Sequence, residues 1–179
     1  MVMPIGPLMV EHRLIERMIA LMKKQSIRIK EEERVDPGFI DTAVDFIRNY
    51  ADRLHHGKEE GILFRELENK NLSEEHELLM AELVKEHEWG RKTTRRLVEA
   101  NMKYKNGDKK SISTVLDCLN ELIDFYPRHI QKEDKNFFMP IMEYLSIEEQ
   151  ESMLEEEREF DRNFIHQIYR DRVADLEKG

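Results

Sequence analysis

Two segments of the chain repeat a spacing of histidine and glutamate that suits metal binding. His55 precedes Glu59 by four residues, and His129 precedes Glu133 in the same way, both within the pattern His-x-x-Lys-Glu. On a helix such residues lie one turn apart on the same face, so each pair offers an imidazole and a carboxylate to one point in space. Because a carboxylate has two oxygens, it can bridge two metals. Helical bundles build dinuclear sites from pairs of this kind.

Apolar stripes at steps of three and four residues indicate which histidines face the interior. His55 and Glu59 continue the stripe of Ile47 and Ala51, and equivalent stripes run through the other three long helices. Each of the four helices thereby turns one histidine inward, two of them with a glutamate. The metal ligands predicted in this way are His12, His55, Glu59, His87, His129 and Glu133.

The distances of these residues from the turns indicate one common layer. His55 and His87 lie the same number of residues before and after Asn71, and His12 and His55 lie at similar distances from Val35. Since the rise per residue of a helix is constant, antiparallel neighbours bring such residues to one level. We therefore expect all six ligands to converge.

An all-α fold is predicted from the composition and the turn signals. Charged residues make up 37% of the 179 residues, Gly and Pro number only 7 and 5, and apolar residues recur at helical spacing. Asp36, Ser73 and Ser146 are predicted N-caps, and Gly107 ends a helix. Short turns between long helices predict an antiparallel up-down-up-down four-helix bundle with an extra C-terminal helix, forming a single domain over 1–179. The predicted helices span about 7–32, 37–69, 73–105, 109–144 and 147–176, the bundle itself covering about 7–144.

Composition also excludes several classes of partner and site. The net charge of -9 disfavours nucleic acid and anionic membrane surfaces. The sequence shows no leader segment and no apolar run long enough to span a membrane, so we expect a cytoplasmic protein. Cys118 is the only cysteine, so any metal must be bound by nitrogen and oxygen.

Several further residues are predicted to support the ligands without binding metal. His56 and Glu60 form a second histidine-glutamate pair, which falls towards the flank of its helix. Glu16 follows His12 by four residues but lies beside the apolar stripe. Tyr50 and Tyr126 are predicted to be electron or hydrogen-bond donors near the centre, with core packing as the alternative role.

Other readings of the charged residues remain open. His76 and His166 lie too far from the predicted layer and are expected to be structural or exposed. Lys58 and Lys132 could pair with the two glutamates in the absence of any metal, in which case the chain would be a metal-free helical interaction protein. Near-ultraviolet absorption would distinguish that protein from one with a ferric centre.

The predicted ligand set leaves room for a small exogenous ligand. Imidazole and carboxylate together suit Fe, Mn or Zn. If both glutamates bridge and each metal takes two histidines, each metal has four protein bonds, and a bridging oxide or hydroxide adds a fifth. An octahedral pair then keeps one open position per metal for dioxygen, peroxide or nitric oxide.

Four motifs in this order resemble the hemerythrin HHE cation-binding family. The resemblance runs from Glu11 to Tyr144 and implies a non-haem centre of two Fe ions, bridged by oxide and carboxylate, on the six ligands named above. The motifs are EHRLIE (11–16), HHGKEEGILF (55–64), EHEWGR (86–91) and HIQKED (129–134) followed by Phe138-Met139-Pro140.

One departure from the oxygen-carrying members of that family bears on function. Those proteins have a second histidine four residues after the first in the third helix, and here that position is Arg91. The remaining set of four histidines and two carboxylates resembles that of iron-centre repair proteins. The resemblance therefore implies a protein that binds and reduces a small oxidant, with an unidentified electron donor. Its alternatives are an oxygen or iron sensing or storage module without turnover, and an iron-centre repair protein.

Overall fold

The computed structural model describes residues 3–177, with side chains for residues 3–164 and for Ile168. Within residues 3–177 it confirms the prediction of an all-α fold. The first helix is Ile5–Glu32, the third is Glu74–Lys105 and the fifth is Ile147–Glu177. The second helix covers residues 37–67 and the fourth covers residues 111–144. Within residues 3–177 there is no strand, and none of the helices there has the length and apolar character of a membrane span.

The second and fourth helices change their helical type beside the predicted ligands, which the sequence did not indicate. A π-helix closes its hydrogen bonds one residue later than an α-helix and is therefore wider, and such turns are rare and frequent at functional sites. The second helix consists of α-helical Pro37–Phe46, π-helical Ile47–His56 and Glu59–Phe64, and α-helical Arg65–Leu67. The fourth consists of α-helical Ser111–Lys132, π-helical Glu133–Phe137, α-helical Phe138–Ile141 and 3-10 helical Met142–Tyr144.

The turns form where the capping residues predicted them. The Asp36 carboxylate accepts hydrogen bonds from two amides of the first turn of its helix, and the Ser73 hydroxyl accepts one in the same way. Ser146 and Glu149 exchange side-chain and backbone hydrogen bonds as a capping box. Gly107 has a φ of 94°, a left-handed conformation that glycine adopts without strain.

Two apolar clusters lie on opposite sides of the layer of histidines. His12 follows Leu8 of one cluster and precedes Ile15 of the other, so the first helix crosses from one cluster to the other at this histidine. The second helix crosses in the same way between Ala51 and Ile62. The apolar packing therefore holds the polar layer at a fixed level and surrounds it with a medium of low dielectric constant.

The fifth helix packs along the second helix. Gly57 allows a close approach there, because a Cβ atom at this position would lie 3.1 Å from Cζ of Phe160. Arg65 binds Glu156 with an N to O distance of 2.7 Å. The buried side chain of Met153 joins the apolar cluster that contains Leu8. The extra helix is thus fastened to the element that carries two predicted ligands.

Glu157 is a buried carboxyl group at this contact. Only 1% of its surface is exposed, and neither of its oxygens has a hydrogen-bond partner among the residues that the structure describes. Burial raises the pKa of Glu157 from 4.5 to about 8; Lys58 opposes this rise, while Glu11 and Asp161 add to it. The folded protein therefore holds Glu157 protonated at neutral pH.

We expect Glu157→Gln to stabilise the protein most at alkaline pH. Between pH 4.5 and about pH 8 the unfolded chain ionises Glu157 while the folded chain keeps it neutral. The contribution of Glu157 to stability is therefore lost as the pH rises through this window, and glutamine does not titrate. Urea unfolding should show a free energy of unfolding higher than that of wild type by about 4 kcal/mol near pH 8, with little difference near pH 5.

Glu151→Gln is the matched control, since Glu151 is exposed on the same helix. Its stability should follow the pH profile of the wild-type protein. Parallel profiles for Glu157→Gln and wild type would show that Glu157 is not held neutral.

Candidate metal centre

The four predicted histidines meet as two pairs with their Nε2 atoms facing each other. In the first pair, Nε2 of His12 lies 2.9 Å from Nε2 of His55. In the second pair, Nε2 of His87 lies 3.2 Å from Nε2 of His129. All four imidazoles are buried. Each of the first four helices thus contributes one nitrogen to a common centre.

Glu59 and Glu133 lie between the two pairs, and each gives one oxygen to either pair. For Glu59, Oε1 lies 3.6 Å from Nε2 of His55 and Oε2 lies 3.4 Å from Nε2 of His87. For Glu133, Oε2 lies 3.1 Å from Nε2 of His12 in the first pair, and Oε1 lies 2.9 Å from Nε2 of His129 in the second pair. Both carboxylates are therefore oriented as bridges.

The oxygens of these two carboxylates lie close to the four imidazoles but have no hydrogen bond of normal geometry among the described residues. Both side chains are fully buried, and none of the four oxygens accepts a hydrogen bond of normal geometry from any residue that the structure describes. Burying an ionised carboxylate without a partner costs on the order of several kcal/mol. Four imidazole nitrogens and four free carboxylate oxygens are the donor set that Fe, Mn or Zn takes. The residues present therefore fit a pair of divalent or trivalent cations.

Each histidine of the two pairs donates its Nδ1–H to a carboxylate from a neighbouring helix. This hydrogen bond fixes the tautomer that leaves the Nε2 lone pair free for a metal. The carboxylates form a closed ring, because each helix supports the histidine of the next and the fourth supports the first. The distances are 3.0 Å from His55 to Glu11, 2.7 Å from His87 to Glu60, 2.7 Å from His129 to Glu86 and 2.7 Å from His12 to Asp134.

A basic side chain in turn contacts every carboxylate of this ring. Such contacts keep the carboxylates ionised and limit their movement. Lys58 is fully buried against Glu11 and Asp161, so it does not neutralise Glu59. The other three contacts join Arg91 to Glu60, Lys132 to Glu86 and Arg13 to Asp134. The two lysines therefore support ligands rather than replace a metal.

Three groups of this layer have raised pKa values because charged groups are buried close together. Burial alone would lower the pKa of His12, but Asp134 and Glu133 raise it to about 9. Burial likewise opposes the charge of His129, yet Glu133 raises its pKa to about 10. Burial and the neighbouring Glu133 raise the pKa of Glu59 well above its ordinary value. Metal binding requires neutral imidazoles and ionised carboxylates, so it would displace these protons.

His56 lies in the interior rather than at the flank of its helix, which corrects the prediction. Its side chain is 3% exposed, and its ring stacks on His87 with 3.8 Å between the ring centroids. The stripe argument assumed α-helical spacing throughout. The π-helical turns at Ile47–His56 have more residues per turn, so His55 and His56 both face inward.

Of the two supporting glutamates predicted, Glu60 lies against His87 and Glu16 does not reach His12. Glu16 is partly exposed at the surface, where its carboxylate binds Arg13 at 2.9 Å. The prediction for Glu16 is wrong because Nδ1 of His12 points across to Asp134 of the fourth helix rather than along its own helix.

Three of the supporting carboxylates were not predicted, although the sequence contains a signal for them. Glu11, Glu86 and Asp134 are each the immediate sequence neighbour of a predicted ligand. An acidic residue next to an inward-facing ligand points to the adjacent helix, since neighbouring residues on a helix are about 100° apart.

The tyrosines and remaining histidines take different positions. Tyr126 is buried and lines a cavity beside His87. Tyr50 stacks on Phe46 at the edge of an apolar cluster, which is the packing alternative. His76 bonds the Tyr144 hydroxyl at 2.8 Å, away from the centre. The prediction for His166 concerns a side chain outside the described residues.

Comparison with known proteins identifies the family. A family model described as Hemerythrin HHE cation binding domain matches residues 3–141, so the chain belongs to the hemerythrin HHE cation-binding family. It is 23% identical over 177 residues to the uncharacterized protein Rv1995 of Mycobacterium tuberculosis and likewise to the uncharacterized protein Mb2018 of Mycobacterium bovis. Each match covers 96% of this chain and 68% of the relative. No solved structure matches significantly.

We expect Glu86→Gln to weaken metal binding by about 10- to 100-fold, the usual effect of losing a carboxylate behind a ligand histidine. The amide would no longer fix the charge and tautomer of His129. Calorimetric titration with zinc measures the effect. Glu82→Gln is the matched control, because Glu82 binds the same Lys132 but no histidine. Equal zinc affinity in the two variants would contradict the supporting role of Glu86.

Proposed function

We propose that this chain is a non-haem di-iron protein that binds and reduces a small oxidant, such as dioxygen, peroxide or nitric oxide. The observation that carries the proposal is the orientation of Glu59 and Glu133. Each turns one oxygen towards either histidine pair, and all four oxygens lack hydrogen bonds from the described residues. A single cation would leave half of these donors unused, whereas two cations bridged by both carboxylates use every one.

The proposal includes an antiparallel up-down-up-down arrangement of the first four helices within one domain, with the fifth helix outside. Contacts between the first and fourth helices support it. His12 binds Asp134 near the end of the fourth helix, and Ser26 binds Asn120 nearer its start, at 2.8 Å. As the first helix proceeds, its contacts therefore move backwards along the fourth.

Iron is proposed because its redox chemistry suits the expected substrate, while the donor set alone also accepts Mn or Zn. Two ferrous ions would supply two electrons, the number that reduces hydrogen peroxide to water. Chain residues orient the site: apolar clusters border the layer on two sides, and the ring of carboxylates fixes the four imidazoles.

A cavity of about 370 Å³ supports access of a small molecule to this layer. His56 and His87 lie at its inner wall, and Arg91 and Tyr126 also line it. Burial raises the pKa of Tyr126, so its hydroxyl stays protonated and can donate a hydrogen bond to an oxidant. Arg91 adds positive charge beside the same space.

Metal analysis and reaction with peroxide test the proposal together. The protein purified after expression with iron should contain two irons per chain and absorb in the near ultraviolet. After anaerobic reduction, addition of hydrogen peroxide should restore that absorption and consume the peroxide over repeated cycles with a chemical reductant. Glu133→Gln should lose at least half of the iron, because it removes one bridge.

His76→Ala is the control and should keep full iron content, since His76 contacts Tyr144 outside the layer. Protein without iron, or with zinc in its place at full activity, would contradict the proposal. A stable and reversible dioxygen adduct without consumption of oxidant would instead identify a binding module.

A further inference from the structure

Arginines predominate among the charged residues that line the cavity beside His87. Among the described residues of its lining, four are arginines and Asp52 alone is acidic, whereas the whole chain has a net charge of -9. A cleft lined by one sign of charge concentrates ions of the opposite sign. The cavity therefore attracts anions. Its arginines are Arg48 and Arg53 on the second helix and Arg91 and Arg95 on the third.

Two of these arginines have guanidinium groups without a partner. Arg91 donates hydrogen bonds to Asp52 at 2.6 Å and to Glu60 at 2.7 Å, so its charge is already offset. Arg48 and Arg95 lie at the exposed rim, and within the part of the chain that the structure describes neither forms an ion pair or a side-chain hydrogen bond. A guanidinium group presents several N–H donors in one plane, a geometry that matches a carboxylate or a phosphate. The rim thus offers unused donors to an oxoanion.

The interior of the cavity suits an apolar group of several carbon atoms. Its volume of about 370 Å³ far exceeds the space of about 30 Å³ that one water molecule occupies in the liquid, and it falls within the range of small-molecule sites. A dioxygen or peroxide molecule does not need this width. The buried residues Ile47, Gly90, Thr94 and Tyr126 line the interior. They can cover the body of a molecule whose charged end stays at the rim.

We propose that this cavity binds a small organic acid, with its anionic group at Arg48 and Arg95 and its apolar body directed inward towards Tyr126. Binding of the acid needs no metal, so the inference goes beyond the proposed function and does not depend on it. An inorganic oxoanion such as phosphate would satisfy the same guanidinium groups but would leave the apolar walls uncovered. Comparison of the two kinds of anion therefore belongs to the test.

The test is a titration of 15N-labelled protein with hexanoate, followed through the backbone amide signals of Gly90 and Thr94. We expect both signals to shift in a saturable way, in the protein as purified and again after addition of zinc. Acetate and phosphate carry charge without the apolar body, and hexan-1-ol carries the body without charge. Each of these three should bind at least about tenfold more weakly than hexanoate, because each lacks one of the two contributions.

The variant that tests the rim is Arg48→Gln/Arg95→Gln, in which hexanoate should bind at least about tenfold more weakly than in wild type. Arg17→Gln/Arg34→Gln is the matched control, since it removes the same charge from exposed positions outside the cavity. Its affinity for hexanoate should equal that of wild type.

Equal affinity of the two double variants for hexanoate would overturn the inference, as would phosphate binding as tightly as hexanoate. Hexanoate that binds only in the presence of zinc would place the acid on the metal and would also overturn it. A protein that binds hexanoate as expected but takes up no zinc would contradict the proposed metal centre and leave this inference intact.

Discussion

The burial of two carboxyl groups side by side, those of Glu59 and Glu133, is the constraint on which the rest of this structure depends. None of their four oxygens accepts a hydrogen bond from the described residues, so two ionised carboxylates here would need cations at the same level to offset the cost of burial. Outward from these two glutamates, each imidazole is followed by a carboxylate and then by a basic side chain, on all four helices. Because each carboxylate of the ring binds a histidine from another helix, the polar network also determines how the helices sit beside each other.

The apolar residues hold this polar layer at one level along the helices. Clusters on both sides leave the imidazoles little freedom to move, and the low dielectric constant around them strengthens each charged contact. Lys58 extends the network to the fifth helix, since this fully buried amine joins Glu11 to Asp161. The extra helix is therefore linked to His55 by a continuous path of charged groups.

Helical periodicity and the positions of the turns were sufficient to predict the five helices and the convergence of six side chains. They succeeded for His12 and His87 because a stripe on a regular α-helix depends on local sequence alone. They failed for His56 because the stripe assumed α-helical spacing, whereas Ile47–His56 is π-helical and has more residues per turn. They also missed Asp134 and misplaced Glu16, since the lateral partner of a histidine depends on how neighbouring helices rotate against each other, which spacing along one helix does not reveal.

The most direct measurement of the central claim is a crystal structure of the iron-loaded protein with anomalous scattering recorded at the iron edge. We predict two anomalous peaks, one beside each histidine pair, about 2 Å from the Nε2 atoms, with Glu59 and Glu133 spanning both. A single peak, or iron located away from these carboxylates, would contradict the account.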